Sequence, residues 1–328
     1  MSALTFHGGR IDAAALRFPH APTPWLDLST GINPHRWSPA LPTVIDHGPL
    51  PSVEALVAME RTAARAFGAA DLAIAALPGS EIGLRLLATL DLPQPIRVVA
   101  RSYRTHAEAW REVATIDPGA IADVKDGVLL LANPNNPDGR LIPPDDLVAI
   151  GRRMAARGGV LIVDEAFADA LPDRSIVPLL REDDRILVLR SFGKMFGLAG
   201  VRLGFAMGAR DLVTRIAAML GSWPVSATAI ALGTAAYDDA DWQVAMRERL
   251  TVDATARDAV LRRYGLTPRG ACPLFTLVET EDAAELFERL GRAGILVRPF
   301  DDAPHRLRFG LPGGAEALDR LDAALDRG

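Results

Sequence analysis

Short apolar runs alternate with amphipathic segments between residues 71 and 220, and this alternation limits the fold more than any other feature. The apolar runs, at 71–76, 96–100, 127–132, 159–164 and 185–189, have the length of buried strands. Helical patterns occur between them at 81–90 and 144–157, and after them at 211–220. Strands and helices that alternate in this way form a largely parallel sheet covered on both faces. We therefore predict an α/β fold.

The chain divides into three segments by composition and pattern. Residues 1–50 contain many prolines, which exclude long helices and predict an extended arm. Residues 51–222 form the predicted large domain, and they open on a helical pattern that starts after Ser52 and closes at Gly68. Residues 223–328 are predicted to form a long linking helix, at 228–263, and a smaller C-terminal α+β domain. A length of 328 residues agrees with about two domains at roughly 150 residues each.

Charge and cysteine content exclude several classes of function. The chain has 36 basic and 41 acidic residues, whereas proteins that mainly bind duplex nucleic acid carry a basic excess. The single cysteine, Cys272, excludes an internal disulfide and a multi-cysteine metal site, and we expect it to be buried. No apolar run has the length of a signal peptide core or a membrane span. We predict a cytoplasmic protein that binds no nucleic acid, membrane or metal.

Three motifs follow predicted strands, and each has an ordinary structural explanation beside a chemical one. The NPNNPDG segment at 133–139 is either a strand-exit turn or part of a site. Asp164 ends another strand, where it either caps a helix or faces a ligand at the carboxyl edge of the sheet. Lys194 is either a solvated loop lysine or, among its apolar and glycine neighbours, a desolvated amine suited to Schiff-base chemistry.

Together the order and spacing of these motifs resemble the fold-type I pyridoxal-phosphate enzymes of the aminotransferase class I/II group. The resemblance implies that Lys194 is the Schiff-base lysine and that Asp164 pairs with the protonated pyridine nitrogen of the cofactor. It also implies that Asn136 donates to the ring oxygen and that Ser191 and Arg202 bind the phosphate.

Two further segments are expected to complete the cofactor site. The PGSE segment precedes a helix, so the resemblance implies that backbone N–H groups of Gly79, Ser80 and Glu81 hold the same phosphate. Either Tyr103 or His106 is expected to stack on the cofactor ring, and we favour His106.

The N-terminal arm resembles the opening of a narrower family, the threonine-phosphate decarboxylases of cobalamin biosynthesis. The motifs that carry this resemblance are HGG at 7–9 and LDLSTGINP at 26–34, and the similarity extends over essentially the whole chain. Phe167 agrees with it, because the related histidinol-phosphate aminotransferases usually have a tyrosine there. The implied reaction converts L-threonine O-3-phosphate to (R)-1-amino-2-propanol O-2-phosphate and carbon dioxide.

The same resemblance implies a substrate site for a carboxylate and a phosphomonoester. Arg308, in LRFG at 307–310, and Arg298, in VRP at 297–299, match arginines that grip the substrate. Residues of the arm are expected to complete that site, namely His7, Gly8, Thr30, Gly31 and Asn33.

The chain departs from the pattern of its relatives at 46–49, and two other functions stay open. Relatives place a tyrosine in this region that crosses to the neighbouring subunit's cofactor phosphate, whereas this chain reads DHGP. Enzymes of this fold type are generally homodimers, so we predict a homodimer.

The alternatives are an aminotransferase of the histidinol-phosphate type and a non-catalytic pyridoxal-phosphate module. The latter requires an attached DNA-binding domain, for which residues 1–50 are too short. No Rossmann glycine motif follows any strand, which argues against a nicotinamide enzyme.

Overall fold

The fold was analysed in a computed structural model, which describes residues 4, 7–39 and 45–326. Its residues cluster into two compact units. The large unit consists of Arg36–Asn136 and Leu141–Val244, and the small unit consists of Met1–His35, Pro137–Arg140 and Ala245–Gly328.

The helices and strands are named in chain order. The helices are α1 (Ile11–Arg17), α2 (Val53–Phe67), α3 (Ser80–Leu87), α4 (Thr105–Glu108), α5 (Pro144–Ala155), α6 (Arg210–Leu220), α7 (Ala227–Asp238), α8 (Ala240–Arg263), α9 (Ala283–Arg292) and α10 (Ala315–Leu325). The strands are β1 (Leu26–Asp27), β2 (Ala73–Leu77), β3 (Ile96–Val99), β4 (Ala114–Ile116), β5 (Val128–Ala132), β6 (Val160–Asp164), β7 (Ile186–Ser191), β8 (Gly204–Gly208), β9 (Thr276–Glu279), β10 (Ile295–Leu296), β11 (Arg298–Pro299) and β12 (Arg306–Phe309).

A seven-stranded sheet forms the centre of the large unit, in the order β2-β8-β7-β6-β5-β3-β4. Strands β3 to β7 run parallel to one another, whereas β8 is antiparallel to both β2 and β7. Every residue of β5 and β6 is buried, as expected for strands that helices cover on both faces. The predicted α/β fold with a mostly parallel sheet is confirmed.

Helix α2 shows how local sequence sets the ends of an element. The Ser52 hydroxyl accepts a hydrogen bond from the backbone N–H of Ala55 at 3.1 Å, which caps the first turn. The helix ends at Gly68, whose φ of 71° lies in the left-handed region that favours glycine. The helix predicted between Ser52 and Gly68 is present.

The small unit contains a three-stranded antiparallel sheet, in the order β11-β12-β9, and the parallel pair β1 and β10. Helices α9 and α10 contribute their apolar faces to its core, together with residues of the N-terminal arm such as Phe18 and Leu28. Cys272 is buried, as the sequence predicts, and burial raises the pKa of its thiol to about 12.

The structure differs from the sequence-based prediction in the linking region. The single helix predicted at 228–263 is interrupted at Asp239, whose carboxylate accepts hydrogen bonds from the indole of Trp37 and the backbone N–H of Trp242. Helix α7 packs against α2 within the large unit, so the two units separate after Val244 rather than near residue 222. None of the helices within the described residues has the length and apolar character needed to cross a membrane.

Candidate functional site

A cavity that is partly open to solvent lies in the large unit, and polar groups from several loops converge on it, as they do in small-molecule sites. It is lined by Gly79, Ser80, Glu81, Tyr103, Ala132, Asn136, Asp164, Ala166, Phe167, Ser191, Lys194 and Arg202. The cavity therefore brings together every residue predicted to bind the cofactor except His106.

Parallel pairing explains why residues distant in sequence meet at this cavity. Ala132, the last residue of β5, pairs with Asp164, the last residue of β6. Asp164 in turn pairs with Leu189 near the end of β7, and Ser191 ends that strand. Because these strands run in the same direction, the groups that follow them meet at one edge, where open α/β sheets bind ligands.

The asparagine-rich turn after β5 uses two of its amides for structure. The Asn133 side chain accepts from the N–H of Ile142 at 2.9 Å and donates to the carbonyl of the same residue at 3.1 Å. The Asn135 side chain donates to the carbonyl of Arg101 at 3.0 Å. Asn136 is the asparagine of this turn that lines the cavity.

The sequence favours His106 as the ring that stacks on the cofactor, but the contacts of the two rings favour Tyr103. Nε2 of His106 lies 3.0 Å from Oδ2 of Asp164, and the imidazole is 1% exposed. Tyr103 lines the cavity, and its ring meets the His106 ring edge-on at a centroid distance of 5.8 Å. His106 is engaged by the carboxylate behind the cavity, so Tyr103 is the better candidate for the stacking ring.

Burial and hydrogen bonding hold Tyr103 in this position. Its hydroxyl donates to Oε2 of Glu81 at 3.4 Å, and Glu81 also accepts from Arg85, one turn later on α3. Burial raises the pKa of the phenol, and the nearby carboxylates of Glu81 and Asp164 act in the same direction, so Tyr103 stays neutral.

Lys194 lies in a tight turn that starts where β7 ends. A Cβ at Gly193 would come 2.5 Å from Cα of Ala199, so the close approach of these two backbone segments requires glycine. Nζ of Lys194 is 5.7 Å from the centroid of the Phe167 ring, and both residues line the cavity.

One end of the cavity is built to hold an anion. The N-cap residue of α3 is Gly79, which has no side chain to cap the helix, and the backbone N–H groups at an α-helix N-terminus attract negative charge. A Cβ on Gly79 would come 2.5 Å from Nη2 of Arg202, and the φ of 95° at Gly79 itself favours glycine. Arg202 itself has a φ of 57°, a strained conformation for a residue with a side chain.

A buried ionic cluster, which the sequence analysis missed, lies between the same strand ends. The guanidinium of Arg190 binds Glu165 at 2.7 Å and also binds Asp169, which accepts a hydrogen bond from Tyr237. Burial raises the pKa of Glu165; burial alone would lower the pKa of Arg190, but the two carboxylates raise it. In sequence, Glu165 directly follows Asp164, and Arg190 directly precedes Ser191. This adjacency to two predicted site residues was the sequence signal that could have indicated the cluster.

Arg298 and Arg308, predicted to bind substrate, lie side by side in the small unit. They are directly paired between β11 and β12, and both are buried. The Arg308 guanidinium donates to the carbonyl of Ser29 at 2.6 Å and lies 5.1 Å from the centroid of the Phe275 ring. Burial, followed by the positive charge of Arg298, lowers the pKa of Arg308. Two adjacent buried guanidinium groups favour an anionic ligand.

The predicted arm residues also belong to the small unit, around Ser29. The Ser29 hydroxyl accepts from the N–H of Gly9 at 2.7 Å, and a Cβ on Gly8 would collide with the Ser29 carbonyl. The Asn33 side chain accepts from the N–H of His35 at 2.8 Å. The remaining arm residues predicted to bind substrate are His7, Thr30 and Gly31, and of these Thr30 adjoins Ser29 directly.

The residues of the cavity fit pyridoxal phosphate. Lys194 supplies an amine for the aldehyde, Asp164 a carboxylate for the pyridine nitrogen and Asn136 an amide for the ring oxygen. Ser191, Arg202 and the uncapped end of α3 supply donors for the phosphate. Among the described residues there is no group of three or more His, Cys, Asp or Glu side chains that could hold a metal ion.

Comparison with known proteins places the chain in a family. The family described as aminotransferase class I and II matches residues 97–325. A threonine-phosphate decarboxylase from Pseudomonas aeruginosa is 39% identical over 97% of this chain and 96% of its own length. A protein of the same name from Sinorhizobium sp. is 38% identical over 100% of this chain and 99% of its own length.

The fold also matches solved structures. Histidinol-phosphate aminotransferase from Sinorhizobium meliloti, crystallised in complex with pyridoxal-5'-phosphate, superimposes with a TM-score of 0.80 at 19% identity. The match covers 96% of this chain and 93% of that one. The chain belongs to the aminotransferase class I and II family.

Proposed function

We infer that this protein is a pyridoxal-phosphate-dependent carboxy-lyase that acts as a threonine-phosphate decarboxylase in cobalamin biosynthesis. It converts L-threonine O-3-phosphate to (R)-1-amino-2-propanol O-2-phosphate and carbon dioxide. The observation that carries this function is the 38–39% identity to two threonine-phosphate decarboxylases over essentially the full chain. The donor set of the cavity supports the cofactor independently.

We propose roles for five of the residues that line the cavity. Pyridoxal phosphate, when bound, supplies a ring that accepts the electron pair left at Cα of the substrate. Lys194 attaches the cofactor covalently, and Asp164 holds a proton on its pyridine nitrogen. Asn136 orients the ring oxygen, while Ser191 and Arg202 bind the phosphate.

Arg298 and Arg308 are proposed to bind the two anionic groups of the substrate. A guanidinium can bind either a carboxylate or a phosphate through two parallel hydrogen bonds. Holding both groups fixes the rotation about the bond between the substrate nitrogen and Cα. A carboxylate that these guanidinium groups held out of the plane of the cofactor ring would have its bond to Cα in the orientation that breaks most readily. Well-oriented reactants gain up to ~7–11 kcal/mol in this way.

We also propose that the protein is a cytoplasmic homodimer. Cys272 is free and buried, as expected in a reducing compartment. The segment at 46–49, where relatives carry a tyrosine that crosses to the partner, is exposed. Light scattering on the purified holoenzyme tests the dimer, and a fully active monomer would contradict it.

The decisive experiment measures carbon dioxide release from L-threonine O-3-phosphate by the purified holoenzyme. We expect release without any keto-acid partner, because decarboxylation needs no amino acceptor. A matched reaction contains histidinol phosphate and 2-oxoglutarate. Rapid amino transfer in that reaction, with no carbon dioxide from threonine phosphate, would overturn the proposal and support an aminotransferase.

A further inference from the structure

We propose that Asn135 is a positioning residue for the cofactor. Its side chain holds the backbone of Arg101 in a left-handed conformation, and this conformation directs the segment at 101–106, which carries Tyr103 and His106, toward the cavity. The inference rests on the proposed function, since it concerns how the chain presents these two side chains to pyridoxal phosphate.

The backbone conformation of Arg101 is the first observation. Within the described part of the chain, Arg101 and Arg202 are the only residues other than glycine with a positive φ, at 55° and 57°. This region is unfavourable for residues that have a Cβ, and such conformations concentrate at functional sites. Arg202 lines the cavity, and Arg101 precedes Tyr103, another lining residue, by two positions. A contact that favours this conformation of Arg101 would therefore act on the cavity.

Asn135 supplies such a contact. Its amide donates to the carbonyl of Arg101 at 3.0 Å, and the residue is 1% exposed. The two residues are 34 positions apart, so the bond joins the turn after β5 to the segment that follows β3. A hydrogen bond to this carbonyl fixes the orientation of the peptide unit between Arg101 and Ser102.

The segment after Arg101 shows what this peptide unit controls. The Ser102 hydroxyl lies 3.2 Å from Nδ1 of His106, and the backbone N–H of His106 donates to the carbonyl of Tyr103 at 2.9 Å. The Tyr103 ring lines the cavity, and the imidazole contacts the Asp164 carboxylate. Because the segment is linked internally, a rotation of the peptide after Arg101 would displace both rings.

A general structural role for Asn135 is the competing explanation, because loss of a buried hydrogen-bonding side chain destabilises a fold. The two explanations differ in one respect, since only the proposed role depends on the conformation of Arg101. Glycine adopts a positive φ without steric cost, whereas alanine keeps the Cβ that arginine has. Arg101→Gly should therefore remove the need for the Asn135 hydrogen bond, and Arg101→Ala should not.

The test is a double-mutant cycle with cofactor affinity as the readout. Full-length protein is freed of cofactor and equilibrated by dialysis against a series of pyridoxal phosphate concentrations. We expect Asn135→Ala to weaken cofactor binding by about 3- to 10-fold, both in the wild-type chain and in Arg101→Ala, because fewer molecules hold the competent conformation. In Arg101→Gly the same substitution is expected to weaken binding by less than about twofold.

Arg101→Val tests the same conformation while Asn135 stays in place. A β-branched side chain tolerates a positive φ least, so this variant is expected to weaken cofactor binding by at least about threefold. Arg101→Ala is the matched control for loss of the guanidinium and is expected to bind the cofactor as the wild type does. Position 101 is exposed, so this pair keeps the test decisive even if Asn135→Ala destabilises the fold.

Equal losses from Asn135→Ala in Arg101→Gly and in Arg101→Ala would overturn the inference. Wild-type cofactor affinity in Asn135→Ala, or in Arg101→Val, would overturn it as well. The dialysis contains no substrate, so its failure is distinct from failure of the proposed function. That second failure would appear as absence of carbon dioxide release from L-threonine O-3-phosphate by the wild-type holoenzyme.

Discussion

Nε2 of His106 lies 3.0 Å from Oδ2 of Asp164, and this contact joins two buried side chains that are 58 residues apart in sequence. Because an ionised carboxylate only accepts hydrogen bonds, Nε2 donates to Asp164, and Nδ1 on the other side of the ring lies 3.2 Å from the Ser102 hydroxyl. The other carboxylate oxygen of Asp164 accepts from the N–H of Ala166 at 3.1 Å. The carboxylate is thus oriented from two sides.

His106→Leu is expected to lower kcat by about 10- to 100-fold while the cofactor stays bound, because it removes a hydrogen bond to a charged group. Steady-state carbon dioxide release gives the rate, and absorbance gives the cofactor content. Asp164→Asn removes the charge itself and is expected to lower the rate by about 10³-fold or more. A wild-type rate in either variant would contradict the proposal that His106 and Asp164 orient the cofactor.

Lys194→Ala is expected to abolish covalent attachment of the cofactor and to lower turnover by at least about 10³-fold. Borohydride reduction followed by intact-mass measurement is the test, and it should add the cofactor mass to the wild-type chain only. Lys125→Ala is the matched control, since Lys125 is the other lysine of the chain. A reduced adduct in the Lys194 variant would show that a different amine holds the cofactor.

Arg308→Ala and Arg298→Ala are each expected to lower kcat/KM by an amount equivalent to ~2–5 kcal/mol, as losing one partner of a buried charge pair does. Looser binding of the substrate anions should also raise abortive amino transfer relative to decarboxylation. Product analysis of carbon dioxide and of keto acid separates the two outcomes. Arg289→Ala, on helix α9, is the control for loss of an arginine elsewhere in the small unit.

Asp184 provides a pH-dependent contribution to stability. Partial burial tends to raise the pKa of its carboxyl, but hydrogen bonds from Arg152, at 2.8 and 2.9 Å, and from the Arg181 N–H lower it below the ordinary 3.8. A lowered folded-state pKa means that the unfolded chain binds more protons. The stabilisation by Asp184 is therefore complete above pH 3.8 and is lost as the pH falls through the pKa that this carboxyl has in the folded state.

Asp184→Asn is accordingly expected to lower the free energy of unfolding by about 1 kcal/mol near neutral pH. The difference from wild type should shrink toward zero on acidification. Thermal midpoints over a pH series provide the measurement, with the exposed neighbour variant Asp183→Asn as control. A difference that is constant with pH would refute the assigned charge interaction.

The sequence alone determined the parallel centre of the sheet and the chemistry at its edge. Strand β5, strand β6 up to Val163 and strand β7 up to Leu189 are continuous apolar runs because helices cover both of their faces, so their pattern is visible without long-range information. The groups at their ends are also local features, and parallel pairing makes them converge in any fold of this class. The cavity residues Asn136, Asp164, Ser191 and Lys194 were therefore predictable.

Only the tertiary structure decided features that depend on partners distant in sequence. Strand β8 was not predicted, because five residues with glycine at both ends carry little pattern and its antiparallel place depends on β2 and β7. The break at Asp239 depends on Trp37, and the assignment between Tyr103 and His106 depends on which ring meets Asp164. Each of these features depends on a contact between residues that are distant in sequence. Such a contact contributes to stability only after the chain has folded, so the local residue pattern does not reveal it.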